Sequence, residues 1–410
     1  MAKKIAAIVF VYICTCVAWI ILGGVTVDRT HSLDNKLKQA VGQLWGTPQK
    51  QAAPRVYYQT SEQQKVARTN DEGKTTTETK TVVVSHSLNL ESSDIKADLK
   101  LAHRKKGLLW YSTYSVDFDG TYGIANTTSE ARAVWFEYAF PSSDGIYDDF
   151  TIAVNGAPEK DLVPSGGKIY KSIYLMPGQA ATVKVGYRSQ GLDQWWYVFG
   201  EDVSQIRNFK LAMTTDFARI DFPENSIAPT AKTQKGSGWE LVWSYNNLIS
   251  GIQIGMDMPK KVNPGPFVSK ISFFAPVSLF LFFFLLFIIT AIRGIRLHPM
   301  HYFFVAASFF AFHLLMAYLA DHADIYLAFF ISAAVSLFLV VSYMRIVAGT
   351  KFAFVETAVA QLVYLMFFSY AFFWEGYTGL AITICCIATL FVVMQFTARI
   401  DWEKQFSSKT

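Results

Sequence analysis

Cysteine is scarce in this sequence, and charge is nearly absent from its last third. The four cysteines, Cys14, Cys16, Cys385 and Cys386, all lie in apolar runs. Residues 28–270 contain none, so disulfide bonds cannot stabilise that region. Its 243 residues are enough to bury a core of their own. We predict that the cysteines are small apolar residues packed in helices rather than ligands for a soft metal.

The charged residues are concentrated in one region. Residues 28–270 hold 28 of the 37 Lys and Arg and 26 of the 32 Asp and Glu. This split predicts a membrane protein with one large water-facing domain. Acidic and basic residues nearly cancel within that domain, so the overall net charge of +5 does not indicate a nucleic-acid partner.

Nucleotide-binding and hydrolase signatures are missing. The sequence has neither a Gly-x4-Gly-Lys-Ser/Thr loop nor a His-Glu-x-x-His motif. Gly236-Ser237-Gly238 does not have the spacing of a nucleophile elbow. We therefore expect no catalytic residues, no cofactor and no resident metal, and predict that the protein is not an enzyme.

The N-terminus begins with Lys3 and Lys4, followed by an uncharged apolar run over 5–22. A secretory signal opens in the same way, but this run continues without a small-residue cleavage site. It is long enough to cross a membrane. We predict an uncleaved N-terminal transmembrane helix over residues 1–27. In residues 28–49, apolar residues at spacings of three and four predict a short helix leaving the membrane.

Five further apolar runs follow Pro264, and each is long enough to span a membrane. They cover residues 271–292, 302–319, 325–344, 352–374 and 378–398. The short connections make neighbouring helices antiparallel. Between the first two runs, Pro299 suits the first turn of a helix, and His298 is biased away from helical dihedral angles. The sequence predicts a five-helix bundle in which one helix ends near Ile292 and the next begins near Pro299.

Basic residues indicate the orientation, because cytoplasmic loops retain Lys and Arg. Counted from a cytoplasmic N-terminus, the inside segments carry nine: Lys3, Lys4, Arg293, Arg296, Arg345, Lys351, Arg399, Lys404 and Lys409. The short outside loops, 320–324 and 375–377, carry none. We predict that both termini, including a tail over 399–410, are cytoplasmic. Arg293 and Arg296 would then anchor their turn to anionic membrane lipids. Alternatively, Arg296 and His298 form a docking site for a soluble partner.

The large domain over 28–270 is predicted to be extracytoplasmic and all-β. From 81 to about 258 apolar residues recur with period two, as at Val134, Phe136 and Tyr138. Turn signals separate such runs: Asp119-Gly120, Asp144-Gly145, Asn155-Gly156 and Pro177-Gly178. These strands predict an antiparallel sandwich. The polar residues 59–80 predict a long mobile hairpin loop. The fold class is therefore an α+β membrane protein: an anchor helix, a sandwich-like β domain and a C-terminal five-helix bundle.

Trp195, Trp196 and Tyr197 are adjacent in the predicted β domain. Neighbouring residues of a strand point to opposite faces, so these three rings cannot all enter one core. At least one ring is expected at a ligand site or at the membrane interface, where Trp and Tyr are favoured. The alternative is that the three rings clamp a loop onto the sandwich.

Ionisable residues in the apolar runs are few, namely His313 and Glu356. Such residues are functional candidates by default because a charge in a membrane is costly unless it is paired. Glu356 could instead pair with Lys351 or reach the inner interface. His313 could be a neutral residue bonded to Ser336 or Gln361 on a neighbouring helix.

One short outside loop combines two carboxylates with an imidazole. Asp321, His322 and Asp324 offer oxygen and nitrogen ligands of the kind that can hold a divalent cation. They are too few for a closed site, and we expect a solvated loop.

Several motifs resemble the bacterial CreD family of inner-membrane proteins. Arg296-Leu297-His298-Pro299-Met300-His301-Tyr302 and Leu319-Ala320-Asp321-His322 carry the resemblance, and Ile400-Asp401-Trp402 is similar to the family's exit from its last helix. In the outer domain, residues 104–111 and Phe118 resemble its first β segment, and residues 46–50 resemble it more weakly. The resemblance implies a bacterial inner membrane with a periplasmic β domain. It also implies a role in envelope integrity and in a regulon linked to envelope stress and the β-lactam response. It implies no catalytic residues.

Two functions therefore stand as hypotheses. The first is a non-enzymatic inner-membrane protein that senses or supports envelope integrity through its β domain, with an envelope protein, lipid or glycan as partner. The second is a transporter or lipid-handling enzyme that uses the polar residues of the helix bundle. The scarcity of buried charge favours the first, because transport pathways usually contain more.

Overall fold

The computed structural model describes residues 2–69, 75–107, 109–160, 162–200, 203–374 and 376–398. The chain divides into two compact units. One contains the residues up to Lys36 and those from Val262 onward, and the other contains Leu37–Lys261. The predicted tail over 399–410, including its three basic residues, lies outside the described residues.

Among the described residues, six helices are long and apolar enough to cross a membrane. They are α1 (Ala2–Trp45), α2 (Pro264–Ile292), α3 (Pro299–Leu319), α4 (Ile325–Ala348), α5 (Phe352–Phe373) and α6 (Thr378–Thr397). Together with the β region between α1 and α2, they confirm the predicted α+β membrane-protein class. The packed residues of this unit come mainly from α2 to α5, with Trp19 of α1 fully buried among them.

The first helix differs from the prediction. Residues 28–45 do not form a separate helix, because α1 runs without a break from Ala2 to Trp45. No proline interrupts this stretch, and Gly46, with φ +98°, ends it in a conformation that favours glycine. A strand then begins at Gln49.

The β unit contains fifteen described strands. They are β1 (Gln49–Ala52), β2 (Arg55–Thr69), β3 (Thr75–Leu88), β4 (Ser92–Lys106), β5 (Leu109–Ala125), β6 (Arg132–Ala139), β7 (Tyr147–Val154), β8 (Ala157–Pro158), β9 (Lys168–Leu175), β10 (Ala180–Leu192), β11 (Gln194–Val198), β12 (Ser204–Thr215), β13 (Ala231–Lys235), β14 (Gly238–Ser250) and β15 (Ile254–Asp257).

These strands form three sheets. The orders are β13-β14-β12-β4-β5-β10-β7-β8, β3-β2-β6-β9 and β1-β11-β15. Two strand pairs are parallel, β1 with β11 and β12 with β4, and the remaining pairs are antiparallel. One core of buried side chains draws on all three sheets, with Phe118, Phe136 and Trp195 as examples. The period-two prediction is confirmed in β6, where Val134, Phe136 and Tyr138 are all fully buried.

Two local predictions in the β unit are wrong. Residues 59–69 and 75–80 are not a loop, because they continue β2 and β3 as an antiparallel hairpin; the predicted tip over 70–74 lies outside the described residues. Asp119-Gly120 is not a turn but lies inside β5. A side chain at Gly120 would meet the ring of Tyr122, so this glycine marks a close approach. The turns at Asn155-Gly156 and Pro177-Gly178 are present.

A polar centre ties β1 into the core. The hydroxyls of Tyr138 and Tyr187 both donate to Gln51 Oε1, at 2.8 and 2.9 Å. Burial raises the pKa of both hydroxyls well above the ordinary tyrosine value, so both remain donors. Strand β1 therefore supplies an acceptor that the other two strands need.

Candidate functional site

The turn between α2 and α3 is held by an ion pair. Arg293, the C-cap of α2, pairs with Glu356 of α5, whose side chain is 10% exposed. This contact differs from the sequence-based alternatives, because the partner of Glu356 is Arg293 and not Lys351. It also gives Arg293 a protein partner in addition to the predicted anionic lipids. The arrangement joins the α2–α3 turn to α5.

His298 and Pro299 begin α3 together. His298 has an extended backbone, and its Nδ1 accepts a hydrogen bond from the backbone N–H of Met300 at 3.3 Å. Pro299 occupies the first turn, where its missing N–H has no helical partner to lose. The neighbouring Arg296 is exposed. The geometry gives His298 a capping role, while Arg296 remains accessible to lipid or protein.

The carboxylates of the loop 321–324 have separate structural partners. Asp321 Oδ2 lies 2.7 Å from Arg29 Nη2 of α1, and Asp324 Oδ1 accepts from the Tyr326 backbone N–H as the N-cap of α4. His322 lies between them in the turn. Among the described residues, no group of three or more His, Cys, Asp and Glu could hold a metal ion. The loop therefore connects and caps helices.

His313 is buried in the bundle, but its partners are not the predicted ones. Its Nδ1 lies 3.0 Å from the Phe309 carbonyl oxygen in its own helix, and the ring of Trp19 packs against it with centroids 5.3 Å apart. Ser336 and Gln361 bond to each other instead. The carbonyl and the imidazole both belong to α3, so this hydrogen bond links no second helix. The contact with Trp19 packs α1 against α3.

Three helices are linked by a short polar chain. Gln361 Nε2 of α5 donates to Ser336 Oγ of α4 at 2.9 Å, and Ser336 Oγ donates to the Ser308 carbonyl of α3 at 2.6 Å. Among the described residues, Gln361 Oε1 and Thr357 Oγ1 are buried without a hydrogen-bond partner. Both lie next to π-helical segments of α5, Phe352–Thr357 and Leu362–Phe367. Such segments occur frequently at functional sites.

The three adjacent aromatic residues lie in β11, between β1 and β15. Trp195 and Tyr197 are fully buried in the core, and Trp196 is half-buried on the opposite face. The Trp196 Nε1–H donates to Gln194 Oε1 at 3.2 Å. Trp195 thus has no exposed surface for a ligand, and the packing alternative describes it best.

The four-stranded sheet carries an unexpected set of aromatic rings on its outer side. We call the four residues Tyr57, Trp135, Tyr170 and Tyr174 the aromatic face. They alternate with buried residues of β2, β6 and β9, such as Phe136, so they point away from the core. Tyr170 and Tyr174 are 39% and 66% exposed, whereas Trp135 is half-buried and Tyr57 is buried beneath its neighbours on this side. An outer sheet face is usually polar, and exposed aromatic groups of this kind mark interaction sites.

The strand register brings these rings together. Tyr57 lies directly opposite Trp135, and Trp135 lies opposite Ser172, between Tyr170 and Tyr174 on β9. Direct neighbours on one face are about 5 Å apart and diagonal ones about 7 Å. The four rings therefore form one continuous surface across three strands.

Charged groups border the aromatic face. The Arg55 guanidinium lies over the Tyr57 ring, 5.5 Å from its centroid. Lys168 Nζ donates to Glu137 Oε1 at 2.6 Å, and this contact raises the pKa of Lys168. Glu137 lies opposite both Arg55 and Tyr170. The face thus combines apolar rings with the accessible side chains of Arg55 and Lys168, whereas the Glu137 side chain is nearly buried.

Sequence reasoning did not find the aromatic face. Its members come from three strands, and Tyr57 is more than a hundred residues from Tyr174. The sequence contains one indication of it, the alternation of buried and outward positions along each strand. Trp135, Tyr170 and Tyr174 occupy outward positions in this alternation. Only the strand order shows that those positions are neighbours.

Comparison with known families gives one match. The family model described as inner membrane protein CreD matches residues 226–403. Over this region the chain is similar to the CreD family. The match contains the turn over 296–302 and the loop at Asp321 that carried the resemblance, so that prediction is confirmed. The matched model describes an inner-membrane protein, and the described part of the chain has six apolar helices, so the chain is an inner-membrane protein. The aromatic face lies outside the CreD match.

Curated proteins and solved structures give no close relative of this chain. No curated protein matches this chain. A Legionella pneumophila structure described provisionally as a nutrient binding protein is 10% identical, with 48% of this chain and 71% of that chain covered and a TM-score of 0.30. The M1 zinc metallopeptidase from Deinococcus radiodurans is 11% identical, with 42% and 43% covered and a TM-score of 0.23. Likenesses at these TM-scores support no statement about the fold or function of this chain.

Proposed function

We propose that this CreD-family protein supports the integrity of the bacterial cell envelope by binding an envelope component through its β unit, in the periplasm and without catalysis. The aromatic face is the observation that carries the proposal. Tyr170 and Tyr174 expose rings that the core does not need, because their strand already buries a full set of residues on the other side. The half-buried Trp135 and the buried Tyr57 lie beside them and support this surface.

The partners of the acidic residues in the helix unit support binding rather than catalysis. Asp321 pairs with Arg29, Glu356 pairs with Arg293, and Asp324 caps α4. A general acid or base needs a free proton position and a pKa near the working pH. Carboxylates whose oxygens are engaged in ion pairs and helix caps are poorly placed for that work.

A glycan strand fits the aromatic face best among envelope components. Sugar rings present flat C–H surfaces that stack on aromatic rings, with hydroxyl groups at their edges. Here the rings of Tyr170 and Tyr174 are exposed, and the Arg55 and Lys168 side chains can bond to hydroxyl groups beside them. Aromatic side chains also provide contact area at a small entropy cost.

The test removes the two exposed rings. The Tyr170→Ser/Tyr174→Ser variant of the full chain should bind isolated envelope glycan roughly 30-fold more weakly, since exposed aromatic anchors each contribute about 1 kcal/mol. In a bacterial strain that lacks its own copy of the gene, it should also fail to restore detergent resistance. Co-sedimentation and survival counts provide the two measurements.

Val163→Ser is the matched control, because Val163 is 81% exposed and lies outside the aromatic face. It should bind glycan and restore resistance like the original chain. If the double variant behaves like this control in both assays, the aromatic face is not the binding surface and the proposal is wrong.

A second candidate is a transporter or lipid-handling enzyme. The buried and unpartnered Gln361 Oε1 and Thr357 Oγ1, beside the π-helical segments of α5, favour it. Gln361→Leu removes this polarity at similar volume. If Gln361→Leu inserts normally and loses envelope protection while the tyrosine variant keeps it, the second candidate replaces the first.

A further inference from the structure

The hairpin of β2 and β3 projects beyond the sheet that carries it. Strand β2 pairs with β6 only over Arg55–Tyr58, whereas it pairs with β3 along its whole length. From Gln59↔Ser85 to Thr69↔Thr75, eleven residue pairs are bonded only to each other. At about 3.4 Å per residue this arm is roughly 35 Å long. None of the side chains over 59–64 or 79–86 is buried.

A two-stranded ribbon of this kind is at best marginally stable in water. It needs either a third strand or a covering surface. Strand β3 is an edge of its sheet, because β2 is the only described strand that pairs with it. Protected edges usually contain proline, bulges or several charges. Residues 79–88 contain no proline and one lysine, and Val83 is 60% exposed. This edge is therefore available for pairing with another strand.

The side chains of β3 are complementary to a second copy of β3. In an antiparallel pair with a two-fold axis at Val83, Val82 lies opposite Val84. The hydroxyl residues also match, because Thr81 lies opposite Ser85 and Thr79 lies opposite Ser87. Apolar pairs and Thr–Ser pairs both stabilise neighbouring strands. A self-complementary surface is what an isologous dimer requires.

We propose that the protein forms a homodimer in which the β3 edges of two copies pair antiparallel, with the two-fold axis at Val83. The two arms then make a four-stranded ribbon, and the two four-stranded sheets become one sheet of eight strands. The remaining pair places Lys80 opposite His86. His86 is already held by Thr60 at 2.8 Å and by stacking on Tyr58.

The first test is a substitution at the axis. Val83→Lys places two like charges directly opposite each other and should weaken dimerisation roughly tenfold. Native mass spectrometry of the full chain in detergent measures the dimer fraction across concentrations. Ile249→Lys is the control, because Ile249 is 69% exposed on β14 and does not belong to the arm. The control should dimerise like the original chain, and both variants should keep its circular dichroism spectrum.

The second test fixes the register with cysteines in a chain that lacks the four native ones. Val83→Cys should form a disulfide-linked dimer on mild oxidation. Val82→Cys and Val84→Cys chains should cross-link to each other when mixed and weakly with themselves, because identical positions are then offset by two residues. Ile249→Cys should remain monomeric on the same gel.

Three results would overturn the inference. One is a monomeric original chain at micromolar concentration. Another is a dimer that Val83→Lys leaves unchanged, since another surface would then hold it. The third is cross-linking of Val83→Cys no stronger than that of Ile249→Cys.

Discussion

At the scale of single residues, polar groups of the helix unit are bonded to other elements. Arg29 reaches the α3–α4 loop, Arg293 reaches α5, and Gln361 reaches α4. In an apolar environment each such contact satisfies a group whose exposure to lipid would be costly. These residues therefore specify which helices are neighbours.

The Arg293–Glu356 pair should contribute to the stability of the bundle. Arg293→Ala leaves the nearly buried Glu356 carboxylate without its ion partner. Loss of one partner of a buried pair costs about 3–5 kcal/mol, but Arg293 is 45% exposed, so we expect a loss of about 1–2 kcal/mol. Thermal unfolding in detergent should show a lower Tm. Arg293→Ala/Glu356→Ala should recover part of the loss, and the exposed Arg296→Ala should have little effect. Equal Tm values for Arg293→Ala and Arg296→Ala would contradict a role of the pair.

At the scale of elements, the β unit depends on strands that precede residue 81. Strand β1 lies between β11 and the polar centre formed by Tyr138 and Tyr187, and β2 joins β6. The period-two pattern in the sequence begins only at residue 81. The structure assigns the earlier strands to the same core, because Val56 and Phe136 are buried in one cluster.

The fragment Leu37–Lys261 should therefore fold alone, and 81–258 should not. Without Gln51, the Tyr138 and Tyr187 hydroxyls lose their acceptor, at about 1–3 kcal/mol for each unsatisfied group. We expect a β-type circular dichroism spectrum with a cooperative thermal transition for the longer fragment only. A cooperative transition of the same midpoint in the shorter fragment would show that β1, β2 and β3 are dispensable.

At the scale of the whole molecule, the positive-inside pattern remains the evidence for orientation. Among described residues, Arg293, Arg296 and Lys351 lie in the connections predicted to be inside, and Arg345 lies in the last turn of α4 before one of them. Asp321 and Asp324 lie in a connection predicted to be outside. The orientation decides whether the β unit can meet a periplasmic partner.

Impermeant maleimide labelling tests this orientation. In a chain without native cysteines, Val163→Cys in the β unit should label in intact spheroplasts. Met300→Cys, at the start of α3 and 49% exposed, should label only after the membrane is permeabilised. Neither change alters a charge, so the positive-inside pattern is preserved. Labelling of both positions in intact spheroplasts would disprove the predicted topology.

The sequence by itself determined the class of this protein and the ends of several elements. Long uncharged runs can only be stable as buried or membrane helices, and Pro299 and His298 begin α3 for purely local reasons. Period-two alternation likewise determined which side of β6 is buried. A shift of the strand by one residue would move its apolar side chains from the core to the outer face.

Only the tertiary structure decided which strands, helices and side chains contact one another. Local signals carry no information on which distant strand or helix is a neighbour, so the Arg293–Glu356 pair, the Gln361–Ser336 bond and the aromatic face were not visible in the sequence. The hairpin arm was read as a loop because its polar side chains resemble those of loops. Backbone hydrogen bonds between β2 and β3 hold the arm as a two-stranded ribbon whatever the polarity of its side chains. The order of strands in the sheet makes β3 an edge strand.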